Sequence, residues 1–226
     1  MPCLPILDRT ASVDATGKAI LAPLVARLGA RTGVPQAELL GLLPLGDANA
    51  ALRAALAETA GPVSGHLFAG ILAVDPFVDW ERFADELLQR QFAAVAALPS
   101  LAPLSGRYAA NLAEVDLGFA QEVARLGWFH RRGFRTAGLA CDAEQAERLL
   151  AVGCDLLLLH PGPLDPPAVA AAADRMSDLL RRVPRPPLGR YLFVPQPLAA
   201  ACGEALSTAD GHVVLLPGPS PCESRP

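Results

Sequence analysis

The sequence predicts a (β/α)8 barrel, short or partly degenerate. Three observations carry that reading. Short apolar runs alternate with helical patterns along the whole chain. Most of the runs are continuous rather than alternating, as strands covered on both faces must be. Eight such units share 226 residues, roughly 28 each, which is just enough for a strand, a helix and two turns. Strict alternation implies parallel strands with right-handed crossovers. An open doubly wound sheet also satisfies the alternation, but eight units favour closure.

The predicted strands lie near Leu4–Leu7, Leu39–Leu45, Leu67–Val74, Ala93–Leu98, Thr136–Leu139, Leu156–His160, Tyr191–Val194 and Val213–Leu216. Between them, Phe83, Leu87 and Leu88 recur at helical spacing, and so do Leu112, Val115, Phe119, Val123 and Leu126. Ala146, Leu149 and Leu150 mark a further helix, and Ala170, Ala173, Met176 and Leu180 another. Asp79 and Asp142 stand where N-caps belong, and Gly153 stands where a helix-ending glycine belongs. No linker divides the chain. Residues 1–226 read as one barrel domain, with the first strand interrupted by proline and residues 217–226 forming a Pro- and Ser-rich tail.

Composition excludes several classes. Hydrophobic residues make up 52% and charged residues 19%, which rules out a disordered chain. A net charge of −4 offers no general attraction to nucleic acid or to an anionic membrane. No apolar run approaches the ~20 residues of a membrane helix, and the N-terminus lacks the pattern of a signal peptide. The five cysteines, Cys3, Cys141, Cys154, Cys202 and Cys222, are scattered without metal-binding spacing. They read as reduced thiols of a cytoplasmic protein.

In a barrel, chemistry belongs at the C-terminal ends of the strands. The polar residues predicted there are Asp47 and Asn49, Asp75, the group Ser100, Ser105, Arg107, Tyr108 and Asn111, then His160, then Ser220, Glu223 and Arg225. Each has a plainer reading. Asp47 or Asn49 can cap the following helix. Asp75, before Pro76, can make a turn. His160 can simply close a strand, although an imidazole that titrates near neutral pH suits proton transfer or metal ligation. Arg107 can be a solvated loop residue, or a bidentate clamp on carboxylate or phosphate. The glycine at 218 could help bind phosphate, but prolines at 217, 219 and 221 have no N–H to offer. Walker, GxGxxG, HExxH and GxSxG patterns are absent.

The segments GDAN (46–49), DPFVDWERF (75–83), GRYAANLAEVDLGFAQEV (106–123) and VGCDLLLLHPG (152–162) occur in an order and spacing that resembles the phosphoenolpyruvate hydrolase-like family. This family is also described as predicted TIM-barrel signal-transduction proteins, with a related barrel in the plant Tm-1-like proteins. The resemblance implies a site at the strand C-termini. It implies a small phosphorylated or phosphonylated 2-oxo or enol acid as substrate, and metal-assisted hydrolysis or C–C or P–C cleavage. Magnesium, held by Asp47 and Asp75, would offset the substrate's charge. Arg107 would clamp it and His160 would move the proton, with Asn49 and Glu114 the other residues retained from the family's pattern. Several of the family's rim segments are changed. ARLGARTGVPQAELLG stands where a longer loop precedes GDAN, and AALP stands in place of QNFP. The alternative is therefore a barrel that has lost turnover and serves as a binding or regulatory protein. Association with further copies of the chain is left open.

Overall fold

A computed structural model describes residues 3–9, 18–32, 36–43, 45–58, 66–163, 169–193 and 207–215. Eight parallel strands close on themselves in sequence order, β1 to β8, with β1 paired to β8. They are β1 (Cys3–Leu7), β2 (Ala19–Leu21), β3 (Leu67–Ile71), β4 (Ala94–Ala97), β5 (Arg135–Ala140), β6 (Leu156–Leu159), β7 (Arg190–Phe193) and β8 (Gly211–Leu215). The helices are α1 (Pro23–Thr32), α2 (Ala37–Leu40), α3 (Ala48–Ala57), α4 (Trp80–Gln89), α5 (Gly106–Glu114), α6 (Phe119–Arg131), α7 (Ala143–Ala151) and α8 (Val169–Arg182). The chain is a TIM barrel.

The two-residue period of the strands sorts their side chains into two layers. Leu4, Ile6, Ile20, Phe68, Ala94, Ala96, Ala137, Leu139, Leu156, Leu158, Tyr191, Phe193 and Val213 form one cluster, the barrel interior. Their strand neighbours Leu7, Leu21, Ile71, Val95, Ala97, Leu157 and Leu159 join a second cluster with the helices, including Leu52, Phe83, Leu126, Leu149 and Met176. Burial on both faces is why the strands read as unbroken apolar runs. Each fully buried Leu, Ile or Phe contributes about 1.5–3 kcal/mol relative to exposure.

The caps follow from single side chains. Asp79 accepts from Arg82 N at the start of α4, and Asp142 accepts from Gln145 N at the start of α7. Gly153, at φ +87°, ends α7 in the left-handed region that glycine adopts without strain.

Two predicted elements are corrected. The run Leu39–Leu45 is not a strand. Leu39 and Leu40 end the four-residue α2, residues 41–43 form turns, and the second strand is the three-residue Ala19–Leu21. A short apolar run is compatible with strand or buried helix, and periodicity alone does not separate them. The helical pattern from Leu112 to Leu126 is two helices, α5 and α6. They are parted at Asp116, which has φ +56°, and at the extended N-cap Gly118.

The inserted α1 and α2 shape the site. α3 packs outside the barrel, with Leu52, Ala55 and Leu56 in the outer layer. α1 instead places Val25 and Ala26 in the interior cluster, so it lies over the barrel mouth. The end of α2 wedges in beside it. A Cβ on Gly41 would stand 3.0 Å from Pro99 and 3.2 Å from Val25. The readings on the segment after β7, on Gly218, Ser220, Glu223 and Arg225, and on Cys202 and Cys222 lie outside the described residues.

Candidate functional site

The site follows from carrying the strand alternation one step past the sheet. In β6 the inward residues are Leu156 and Leu158, so His160 comes next. In β5 they are Ala137 and Leu139, so Cys141 comes next. Both do face the mouth. The His160 ring lies 5.2 Å from that of Phe193, and Cys141 packs against the interior cluster. His160 has no solvent exposure. Its backbone N–H continues the sheet by donating to Ala140 O.

The ring's hydrogen bonds determine its tautomer. Gly162 N, which can only donate, lies 3.0 Å from Nδ1, so Nδ1 is the acceptor. The proton therefore sits on Nε2, which donates to Glu38 Oε1 at 3.0 Å. Glu38 comes from α2 and is 5% exposed. Gly162 reaches back to the ring because it turns with φ +78°. Gln36, just before α2, donates to Gly162 O at 2.8 Å and holds α2 against this turn. Cys141 Sγ lies 3.9 Å from Nδ1, the ring nitrogen that Glu38 does not contact.

A second buried carboxyl stands nearby. Glu122, in the first turn of α6, has no exposure. Ser100 Oγ donates to it at 2.6 Å and Leu101 N at 2.8 Å. Burial pushes the Glu122 carboxyl up to about 7, and those two hydrogen bonds offset only part of the rise. Gln145 links the same region. Its amide nitrogen donates to Ala102 O at 3.0 Å, and its oxygen accepts from Cys141 N at 2.7 Å. The ends of β4, β5 and β6 are thus joined through side chains.

The predicted residues separate into groups. Asn49 is buried and meets Asp75: its Nδ2 donates to Asp75 Oδ2 at 3.0 Å and to Leu72 O at 3.2 Å, and its Oδ1 accepts from Leu72 N. Asp75 Oδ1 accepts from Phe77 N. Asp47 is exposed and caps α3 by accepting from Ala50 N. Arg107 and Glu114 are exposed on α5, a helix with no buried residue. Among the described residues no hydrogen bond or ion pair joins any of these five to His160. Glu38, Glu122 and Cys141 were not among the candidates. A lone acid inside the leucine-rich stretch AELLGLL was the signal available for Glu38.

Magnesium requires a cluster of oxygen ligands. Both oxygens of Asp75 receive protein N–H groups, and Asp47 is committed to its helix. Among the described residues no group of three or more His, Cys, Asp or Glu could hold a metal ion. The donor set does not fit a resident magnesium.

The family model for phosphoenolpyruvate hydrolase-like proteins matches residues 29–183, which span α2, the Glu38–His160 pair and β3 to β6. The chain belongs to the phosphoenolpyruvate hydrolase-like family. It is similar to the ToMV resistance protein Tm-1(GCR237) and the ToMV susceptible protein tm-1(GCR26), both of Solanum lycopersicum. Identity to each is 32% over 126 residues, 55% of this chain and 17% of the relative. It is 31% identical over 123 residues to the uncharacterized protein y4oT of Sinorhizobium fredii, covering 53% of this chain and 60% of that protein. The matches thus cover about a sixth of the tomato relatives and 60% of the bacterial one. Among the described residues of this family member, no helix is long and apolar enough to cross a membrane.

Proposed function

We propose that this protein is an enzyme of acid–base chemistry on a small phosphorylated or phosphonylated enol or 2-oxo acid, with His160 as the proton-moving group. The observation that carries this reading is the buried bond between His160 Nε2 and Glu38 at a strand C-terminus. A carboxylate on Nε2–H fixes the tautomer and stabilises the imidazolium, which leaves Nδ1 to take and return a proton. In hydrolysis of phosphoenolpyruvate, Nδ1 would take the proton of the attacking water. The P–O bond breaks, and the enolate so released takes that proton at carbon to become pyruvate. Protonation of Nδ1 also frees the Gly162 N–H to face an anion. Arg107, on the exposed α5, is the clamp this reading assigns to the substrate's phosphate or carboxylate. No step runs through a metal.

The test is phosphate release from phosphoenolpyruvate, with and without added magnesium, by the wild type and by His160→Asn. Turnover that falls at least a hundredfold in the variant supports the reading, as expected for loss of a general base. Turnover that survives the substitution overturns it. A second reading is favoured by α1, which places Val25 and Ala26 over the barrel mouth. In that reading the barrel binds a ligand or partner without turning it over. Saturable binding of oxalate with no phosphate release in any condition would select it.

A further inference from the structure

His160 Nδ1 has a second neighbour besides the Gly162 N–H. Cys141 Sγ lies 3.9 Å away, a long contact but within the range of a sulfur hydrogen bond. The order of groups is thiol, imidazole, carboxylate: Cys141, His160, Glu38. They come from three separate elements, the ends of β5 and β6 and the inserted α2. Each is held in place. Gln145 accepts from the Cys141 backbone N–H, Gly162 fixes the ring, and Gln36 fixes α2. His160 and Glu38 are closed to solvent, whereas Cys141 is only partly covered. An approaching molecule therefore meets the thiol before the ring.

We propose that Cys141, His160 and Glu38 form a nucleophile–base–carboxylate relay that cleaves small esters or thioesters through an acyl-thioester on Cys141. The arrangement is the general one for an activated nucleophile, with a base beside it and a third group orienting the base. The proton balance is closed. Sγ attacks the ester carbonyl carbon while the S–H proton passes to Nδ1. The tetrahedral adduct collapses, the C–O bond breaks, and the alcohol leaves with that proton. Water then gives its proton to Nδ1 and attacks the thioester. The C–S bond breaks and the proton returns to sulfur. The net reaction is ester plus water to acid plus alcohol.

Burial, aided by Asp142, pushes the Cys141 thiol up to about 12, against a smaller opposing hydrogen bond from Gly162. A free thiolate is not the resting form, so attack requires proton transfer to Nδ1 in the same step. That makes His160 obligatory.

This inference rests on the proposed role of His160 as a base, and the experiment separates the two. The folded full chain is incubated with p-nitrophenyl acetate. Nitrophenolate release is followed, and the adduct is located by mass spectrometry of quenched, digested protein. The expected result is an acetyl group on Cys141. Release should fall at least tenfold in Cys141→Ala and in His160→Asn. Cys141→Ser is the second variant, because it keeps volume and a hydroxyl if the alanine form fails to fold. An adduct confined to exposed Cys3, or acylation of Cys141 at the same rate in His160→Asn, overturns the relay. Loss of phosphate release in His160→Asn alongside either result would leave the proposed function standing without it.

Discussion

Glu38 holds His160 from a helix that does not belong to the barrel's outer ring. Oε1 of Glu38 and Nε2 of His160 are 3.0 Å apart, and both side chains are out of water. Removing one partner strands the other without water, and that asymmetry sets the first expectation. His160→Leu should destabilise the protein by about 3–5 kcal/mol, because it leaves a buried carboxyl unpaired. The double variant Glu38→Leu/His160→Leu should cost clearly less than the sum of its singles. A double-mutant cycle from urea unfolding measures the coupling. Additive costs would show that the pair is not coupled.

Glu122 gives stability a pH dependence. Its folded value of about 7 lies above the ordinary glutamate value of 4.5. The native state thus holds this proton more tightly than the unfolded chain does. The resulting stability is full below about pH 4.5 and is lost as pH rises through about 7. The difference corresponds to about 3 kcal/mol. Glu122→Gln cannot ionise and can still accept from Leu101 N. The stability of the wild type in urea should fall between pH 5 and pH 8 relative to the glutamine form. Parallel curves for the two proteins would remove Glu122 as the cause.

Asn49 and Asp47 are two residues apart and should behave differently. Asn49 is buried and satisfies both the N–H and the C=O of Leu72. Asn49→Ala should cost about 2–3 kcal/mol, because those groups lose their partner. Asp47 is exposed and accepts one N–H. Asp47→Ala should cost about 1 kcal/mol, the usual value of an N-cap. Thermal and chemical melts rank the two, and a reversed order would contradict the structure.

Gly70 is set by backbone approach. A Cβ there would lie 2.7 Å from the Ala22 Cβ, 3.0 Å from Leu21 O and 3.1 Å from Leu98 O. Two of those three atoms are backbone and cannot turn aside. Gly70→Ala should therefore cost at least 1–3 kcal/mol, the scale of core overpacking. The same change at Gly133 meets no atom within 4 Å but forces φ +86° on a side chain, so its smaller cost is conformational.

The barrel was legible in the sequence because its strands are covered on both faces. LLLL at 156–159 and AVAA at 94–97 read as buried strands, and both are. β2 was not legible, since three residues carry too little pattern, and the leucines after Glu38 imitated a strand more convincingly. His160 could be picked out because it ends an apolar run, where a polar group invites a reason. Glu38 could not be paired with it, because the contact depends on how an inserted helix crosses the mouth. Glu122 was hidden in the same way: a glutamate in the first turn of a helix ordinarily faces water. Asp47, Asp75, Asn49 and Arg107 follow from sequence position and Glu114 from the family resemblance alone, and position fixes which end of a barrel a residue occupies more firmly than it fixes where the side chain points.

The placement of α1 and α2 over the mouth has a kinetic consequence. The Glu38–His160 bond spans 122 positions, and strands β3 to β6 lie between its two ends. A contact that closes so long a loop forms late, because its entropy cost is met only when the intervening sheet is in place. Side chains that engage after the rate-limiting barrier govern how fast a protein comes apart, not how fast it assembles. The two helices over the mouth therefore act on the folded lifetime of the barrel, as a latch on its unfolding.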